Sequence, residues 1–306
     1  MRLGRLGLLL ALTCLLGITV WSHWRTMGSL SSAWRSNDDF SAGQLVPLVA
    51  AFLIWRDRKL LRGCSLAPCW GAGITLLVFA QMAHLCSLVY GARPSITQYA
   101  FVLTIGSLVL LVAGWQVSRR VFWVLMFLFL MVPPPGAVYN AVSGPLQGLA
   151  TTGSVFLLEA FGTRVMQEGN VVILGDNTPM AVAEACSGLR MLTAFIIVAA
   201  FIAYMIKRPR WQKGALLLSS IPVAMICNMV RISATAMIML YVSVELGEKF
   251  FHDFAGLVMM PIAVSLIFGE IWLMDRIIVP ERSGDAASLA HNQIVVWRGR
   301  RQEGKG

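Results

Sequence analysis

Cys186 stands between Glu184 and Arg190 in the decapeptide AVAEACSGLR, where a long polar segment meets the uninterrupted apolar run MLTAFIIVAAFIAYMI. Ser187 and Gly188 follow it, small residues with helix-start character, so the spacing predicts the thiol at the first turn of a helix. Partial positive charge and free N–H groups at such a terminus favour thiolate over thiol and lower a cysteine pKa from its usual value of about 8.5. That is an environment for a nucleophile. Two further groups match it. Arg231 lies inside an apolar run, where an arginine costs about 2.5 to 3.5 kcal/mol to insert and is kept for a partner or a task, or else snorkels to the interface. Asn228, three residues earlier, shares its helical face and can orient the guanidinium. His252 opens the motif HxxxG, which leaves a residue without a side chain, Gly256, one turn away. Alone it reads as an interfacial histidine beside Phe250 and Phe251. With a thiol on the same side of the membrane it can take the thiol proton and return it to a leaving amine. Arg231, always charged, can then hold an oxyanion or a substrate carbonyl or carboxylate.

Other groups have simpler explanations. Arg190, one turn beyond Cys186, can pair with Glu184, with Glu159 or with a substrate, and a structural ion pair explains it equally well. Asp38 and Asp39 read as solvated charges or as substrate contacts. His23, His84 and His291 have no comparable neighbours in the sequence, and the methionines between Met225 and Met260 read as packing. Of six cysteines, Cys14, Cys86 and Cys227 lie in apolar runs, and Cys64 and Cys69 flank a loop expected on the cytoplasmic side. Neither a disulfide framework nor a zinc site is expected.

The elements that must position these groups are membrane spans. With 57% hydrophobic and only 13% charged residues over 306 positions, and a mean hydropathy of +0.71, the chain is expected to be an all-α polytopic membrane protein. The net charge of +10 comes from short Lys/Arg clusters between apolar runs, which topology explains better than a nucleic-acid partner. Eight spans are expected: an uncleaved first run ending near Trp21, then 45–55, 70–90, 98–117, 121–132, 189–206, 214–241 and 254–274. Residues 1–280 form one domain in this reading, and 281–306 a basic, disordered cytoplasmic tail.

Cytoplasmic connections carry excess Lys and Arg. With the N-terminus inside, Arg2, Arg5, the RDRKLLR segment from Arg56, Arg119, Arg120, the KRPRWQK segment from Lys207 and the tail from Arg276 all face the cytoplasm. The outer segments keep only Arg25, Arg35, Arg93, Arg164 and Lys249. Both termini are then cytoplasmic, and Cys186, Arg231 and His252 meet at the outer boundary. The same pattern forbids 141–162 from spanning, because KRPRWQK would move outside. It is expected as a re-entrant or interfacial helix after the PPPG break at 133–136, followed by a small β-like hairpin on the outer face over 163–180.

In this order and on successive spans, AEACSGLR, the NMVR motif ending at Arg231 and the HDFAG motif starting at His252 resemble the exosortase and archaeosortase family of membrane-embedded cysteine transpeptidases. WRSNDDFSAGQLVPLVAAFLIWRDRKLL is similar to the family's first-loop and second-span region, and MVPPP with the later QEGNVVIL resembles its approach to the cysteine. The likeness runs from Trp34 to Gly256. One departure is Ala42 before Gly43, where many members carry a histidine outside the three catalytic groups.

The resemblance implies a multi-pass enzyme of the bacterial inner membrane with its active site at the periplasmic face. Its partners would be exported proteins bearing a C-terminal sorting signal: a short Pro-Glu-Pro-like motif (PEP-CTERM), a transmembrane helix and a basic tail. Cys186, Arg231 and His252 would be catalytic, with Glu184, Ser187, Gly188, Arg190, Asn228 and Gly256 in support, and neither metal nor cofactor. The amine acceptor stays open. Alternatives from other classes are a transporter or channel, with Arg231 in an anion path, and a non-catalytic scaffold of an exopolysaccharide machine.

Overall fold

The computed structural model of the chain describes residues 14–15, 17–65, 67–91, 94–175, 178–181, 188–250 and 259–277. It is mostly helical, and it divides into two units, 1–264 and 265–306. The first expected span lies largely outside the described residues. Helix α1, Trp24–Ser36, ends where Asn37 turns extended and its side-chain oxygen accepts the Asp39 N–H at 2.9 Å, opening a 3-10 segment, Asp38–Gln44. Asn at this position replaces a missing backbone partner with its own carbonyl. Gly43 in that segment is required by a close approach. Trp34 Nε1 donates to the Met131 carbonyl at 2.9 Å, and a Cβ on Gly43 would stand 2.8 Å from that nitrogen.

Helix α2, Leu45–Arg56, passes through Asp57 into the short α3, Arg58–Arg62. Helix α4, Trp70–Val89, coincides with an expected span. Helix α5, Pro94–Leu128, is broken at Gly114, whose φ of 79° and ψ of −178° lie outside any helix. The rings of Tyr99 and Phe129 stack with centroids 6.1 Å apart, whereas thirty helical residues in line would cover about 45 Å. The chain therefore doubles back at Gly114, and the two apolar runs expected here are two arms of a hairpin. The reversal comes earlier than the Arg119-Arg120 pair that marks it in the sequence. A side chain at Gly114 would collide with the backbone of Ala67, so glycine fixes the position of the turn and charge does not.

After the 3-10 turn Phe129–Met131 and the proline run, helix α6, Gly136–Ala160, continues for 25 residues with Pro145 inside. The segment is one unbroken helix. It closes with Gly162 at φ 79°, the Gly162 N–H bonding to Glu159 O at 2.8 Å and the Thr163 N–H to Leu158 O at 3.0 Å, a Schellman ending. Residues 165–181 form a three-stranded antiparallel sheet: β1 Val165–Glu168, β2 Val171–Leu174 and β3 Thr178–Ala181, with Val165 opposite Leu174 and Val171 opposite Ala181. One face of β2, Val172 and Leu174, is buried with Ala150 and Leu158 of α6.

Helix α7, Leu189–Met205, and helix α8, Arg210–Tyr241, follow, then the short α9, Val244–Lys249, and α10, Met259–Ile277, whose last residues belong to the second unit. In that unit the Arg276 guanidinium lies 5.1 Å from the Trp272 ring centroid. Among the described residues, 70–89, 94–131 and 210–241 are long and apolar enough to cross a membrane, and 189–205 is a shorter apolar helix. Exposed Val78, Phe79, Leu218 and Ile226 give the helices at 70–89 and 210–241 the apolar outer surface that lipid requires.

The largest core joins Leu30 of α1, Val46, Ala50 and Leu53 of α2, Val102, Val124 and Phe127 of α5 and Ile197 and Ala200 of α7. A second joins α6 and β2 to Ile232 and Ala236 of α8. Small and polar side chains, Ser220, Asn228, Ser233 and Thr235, face inward along α8, the composition by which helices approach closely in lipid. His23 and His84, without evident company in the sequence, lie together: the ring centroids are 4.4 Å apart, and Gln81 and Thr104 reach His23 Nε2 at 3.3 Å. They are far apart in sequence but meet where α1 crosses α4 and α5.

Candidate active site

Of the residues expected to do chemistry, Glu184, Cys186, Ser187, His252 and Gly256 lie outside the described residues. Those described on either side of them form a connected arrangement. Gly188 caps α7 in a left-handed conformation, φ 77° and ψ −8°, so the helix proper begins at Leu189. The first described turn of α7 thus starts three positions after Cys186 in the sequence. The reason is conformational: a residue at positive φ cannot be part of a right-handed helix, so α7 starts after it.

Asn228 packs on this cap. A Cβ on Gly188 would stand 3.0 Å from Asn228 Nδ2, and Asn228 Oδ1 accepts a hydrogen bond from Arg231 Nη2 at 2.9 Å. Asn228 is 1% exposed and Arg231 3%, so the guanidinium is buried and does not snorkel to an interface. Their spacing of three places both on the inward face of α8, and the small neighbours Ser154 and Ser233 keep α6 close beside it, Ser233 Oγ lying 3.3 Å from Ser154 O.

Arg190, on the first turn of α7, pairs with Asp38, Nη1 to Oδ2 3.1 Å, in a half-exposed ion pair. Its described partner comes from the first loop and is not Glu159. Asp39, expected as a solvated charge, is instead 3% exposed. The Tyr139 hydroxyl donates to Asp39 Oδ2 at 2.7 Å, and the Thr193 hydroxyl donates to its backbone carbonyl at 3.1 Å. Phe40 meets the Tyr139 ring edge-on at 5.6 Å. The two adjacent aspartates thus tie the first loop to α7 and to the start of α6. Tyr139 gave no signal in the sequence, because nothing local marks a tyrosine whose partner is 100 positions away.

Beyond Tyr241 the chain turns and α9 returns along α8, with Gly247 against the Met239 side chain. Ser243 caps α9, its hydroxyl accepting the Leu246 N–H at 3.1 Å. The described residues of α9 therefore lie along the helix that carries Arg231. Among the described residues no cluster of His, Cys, Asp and Glu could hold a metal ion. Cys14, Cys64, Cys69, Cys86 and Cys227 are free thiols.

Comparisons with curated proteins and with solved structures give no match. A family model described as transmembrane exosortase matches residues 34–269, most of the chain and all of the elements that surround this site. The chain belongs to the transmembrane exosortase family.

Proposed function

We propose that the protein is a cysteine transpeptidase or peptidase of the bacterial inner membrane that cleaves C-terminal sorting signals of exported proteins. The signal is a short PEP-CTERM-like motif followed by a transmembrane helix and a basic tail. The reading crosses the membrane eight times with both termini cytoplasmic, and it sets the site, the sheet and interfacial α6 at the outer face. The observation that carries the mechanism is the buried Arg231–Asn228 pair packed on Gly188. Gly188 is two residues from Cys186, a chain reach of about 7 Å at most. From Gly247 to His252 five residues reach about 17 Å, and Arg231 lies about 12 Å along α8 from Met239, which Gly247 touches. These chain lengths allow both groups to approach the guanidinium, as the reading requires.

In this mechanism the Cys186 thiolate attacks the scissile carbonyl, and Arg231 donates to the oxyanion as the tetrahedral intermediate forms. The C–N bond breaks, His252 gives its proton to the leaving amine, and an acyl thioester remains on Cys186. An amine acceptor or water then attacks the thioester and restores the thiol. Glu184, Ser187, Arg190 and Gly256 shape the approach, and Asn228 holds the guanidinium plane.

The test is processing of a tagged reporter carrying such a signal, co-expressed with the wild-type chain or with Cys186→Ala at matched membrane levels. The expected result is a shortened reporter with the wild type and none with Cys186→Ala. Undiminished processing by Cys186→Ala would reject the mechanism and favour a transporter or scaffold.

A further inference from the structure

Away from the candidate active site, α2, α3, the second arm of α5 and the end of α7 enclose a cavity of about 320 Å³. That is within the range of about 300 to 1,000 Å³ over which small-molecule sites occur. Its floor is apolar, with Leu53 fully buried and Val124 1% exposed, and Ile54, Leu60 and Leu61 continue the wall. Asp57, Tyr204 and Arg120 supply its polar groups. The only acid there is already occupied: Asp57 accepts from the Tyr204 hydroxyl at 2.6 Å and from Arg56 Nε at 2.9 Å.

Arg120 differs. One nitrogen, Nη1, donates to the Leu60 carbonyl at 2.7 Å, which anchors the guanidinium at the cavity, and its side chain is exposed. Arg58, Lys59 and Arg62 lie on the short helix that forms one wall, and Arg119 is beside Arg120. An apolar slot lined by an anchored arginine, with its carboxylate neutralised and further cations on the adjoining elements, complements a phosphate joined to hydrocarbon. An apolar floor has nothing to offer free phosphate, and a zwitterionic headgroup would bring a second positive charge against these cations.

We propose that this cavity is a binding site for an anionic phospholipid of the cytoplasmic leaflet, with one acyl chain over Leu53 and Val124 and the phosphate on the remaining N–H groups of Arg120. Arginine forks match phosphate oxygens in pairs, so Arg120 holds the headgroup in one place, whereas the exposed cations attract the leaflet as a whole.

The full chain, purified in neutral detergent, is titrated with phosphatidylglycerol, phosphatidylcholine or inorganic phosphate, and bound lipid is counted by native mass spectrometry. One phosphatidylglycerol is expected to saturate first, with phosphatidylcholine and phosphate binding at least tenfold more weakly. Arg120→Gln should weaken that first site about tenfold, and Arg62→Gln, with the same change in charge but outside the cavity lining, much less. Leu60→Trp, which fills the cavity from an exposed position and keeps every charge, should remove the saturable site. Equal losses in the two arginine variants, an unchanged first site in Leu60→Trp, or equal binding of the two lipids would overturn the proposal.

Discussion

Asn228 lies over Gly188 so closely that a methyl group added to the glycine would stand 3.0 Å from the amide nitrogen, while the same amide accepts from Arg231. The cap that ends the approach to Cys186 and the cation buried in the next helix are thereby parts of one contact. Gly188→Ala meets two penalties: a left-handed residue with a Cβ costs about 1 to 2 kcal/mol, and the amide must move. Processing of the reporter is expected to fall at least tenfold with Gly188→Ala while the protein still accumulates in membranes. Wild-type processing by this variant would separate the cap from the chemistry.

Arg231→Lys keeps the charge and loses the planar fork that reaches Asn228. A drop in processing of tenfold or more is expected for Lys, and a larger one for Ala. Asn228→Ala, which removes a hydrogen bond to a charged group worth about 1.5 to 3 kcal/mol, should act in the same direction, and the double variant should lose less than the sum. Reporter processing at matched expression measures all three.

The buried Asp39 makes a structural prediction. Asp39→Ala removes the carboxylate to which the Tyr139 hydroxyl donates and should cost about 2 to 3 kcal/mol, Asp39→Asn about 1, and Tyr139→Phe about 1 to 2. Thermal unfolding of the detergent-solubilised chain gives the ranking. A ranking with Asn as damaging as Ala would assign the carboxylate a role beyond this bond.

Arg231 was legible as a cation with a task because it breaks an apolar run, and such breaks are costly in a membrane; Cys186 and His252, which the sequence marks by motif, lie outside the described residues. The tie from Asp39 to Tyr139 was not legible, since both ends look ordinary in their own loops and only folding brings them together. The Gly114 reversal was missed by a few residues for a related reason. Charge marks where a loop should be, but the turn goes where a backbone at positive φ meets Ala67 without a side chain in the way. The pairing of His23 with His84 was likewise invisible, because it depends on the crossing of α1 with two later helices.

Asp57 sets a pH dependence. Burial pushes its carboxyl upward, but the hydrogen bonds from Arg56 and Tyr204 and the Arg56 charge outweigh that, and its pKa lies below the ordinary value of 3.8. A folded-state pKa that is depressed gives stability at pH above the unfolded value, lost as pH falls through the folded one. The stability difference between wild type and Asp57→Asn is therefore expected to be constant from pH 8 to about 5 and to shrink below 3.8. Unfolding midpoints across this range test it, and a gap that widens in acid would contradict the assignment.

The central claim is that Cys186 carries the acyl group of the cleaved protein. It is tested most directly by rapid acid quench of the wild-type chain with a signal-bearing substrate, followed by intact-mass and peptide analysis. The account predicts an adduct on Cys186 that hydroxylamine releases as the hydroxamate of the new carboxyl end, absent in Cys186→Ala and accumulating when acceptor amine is withheld. Cleavage that proceeds with no adduct on Cys186, or an adduct on another residue, would contradict it.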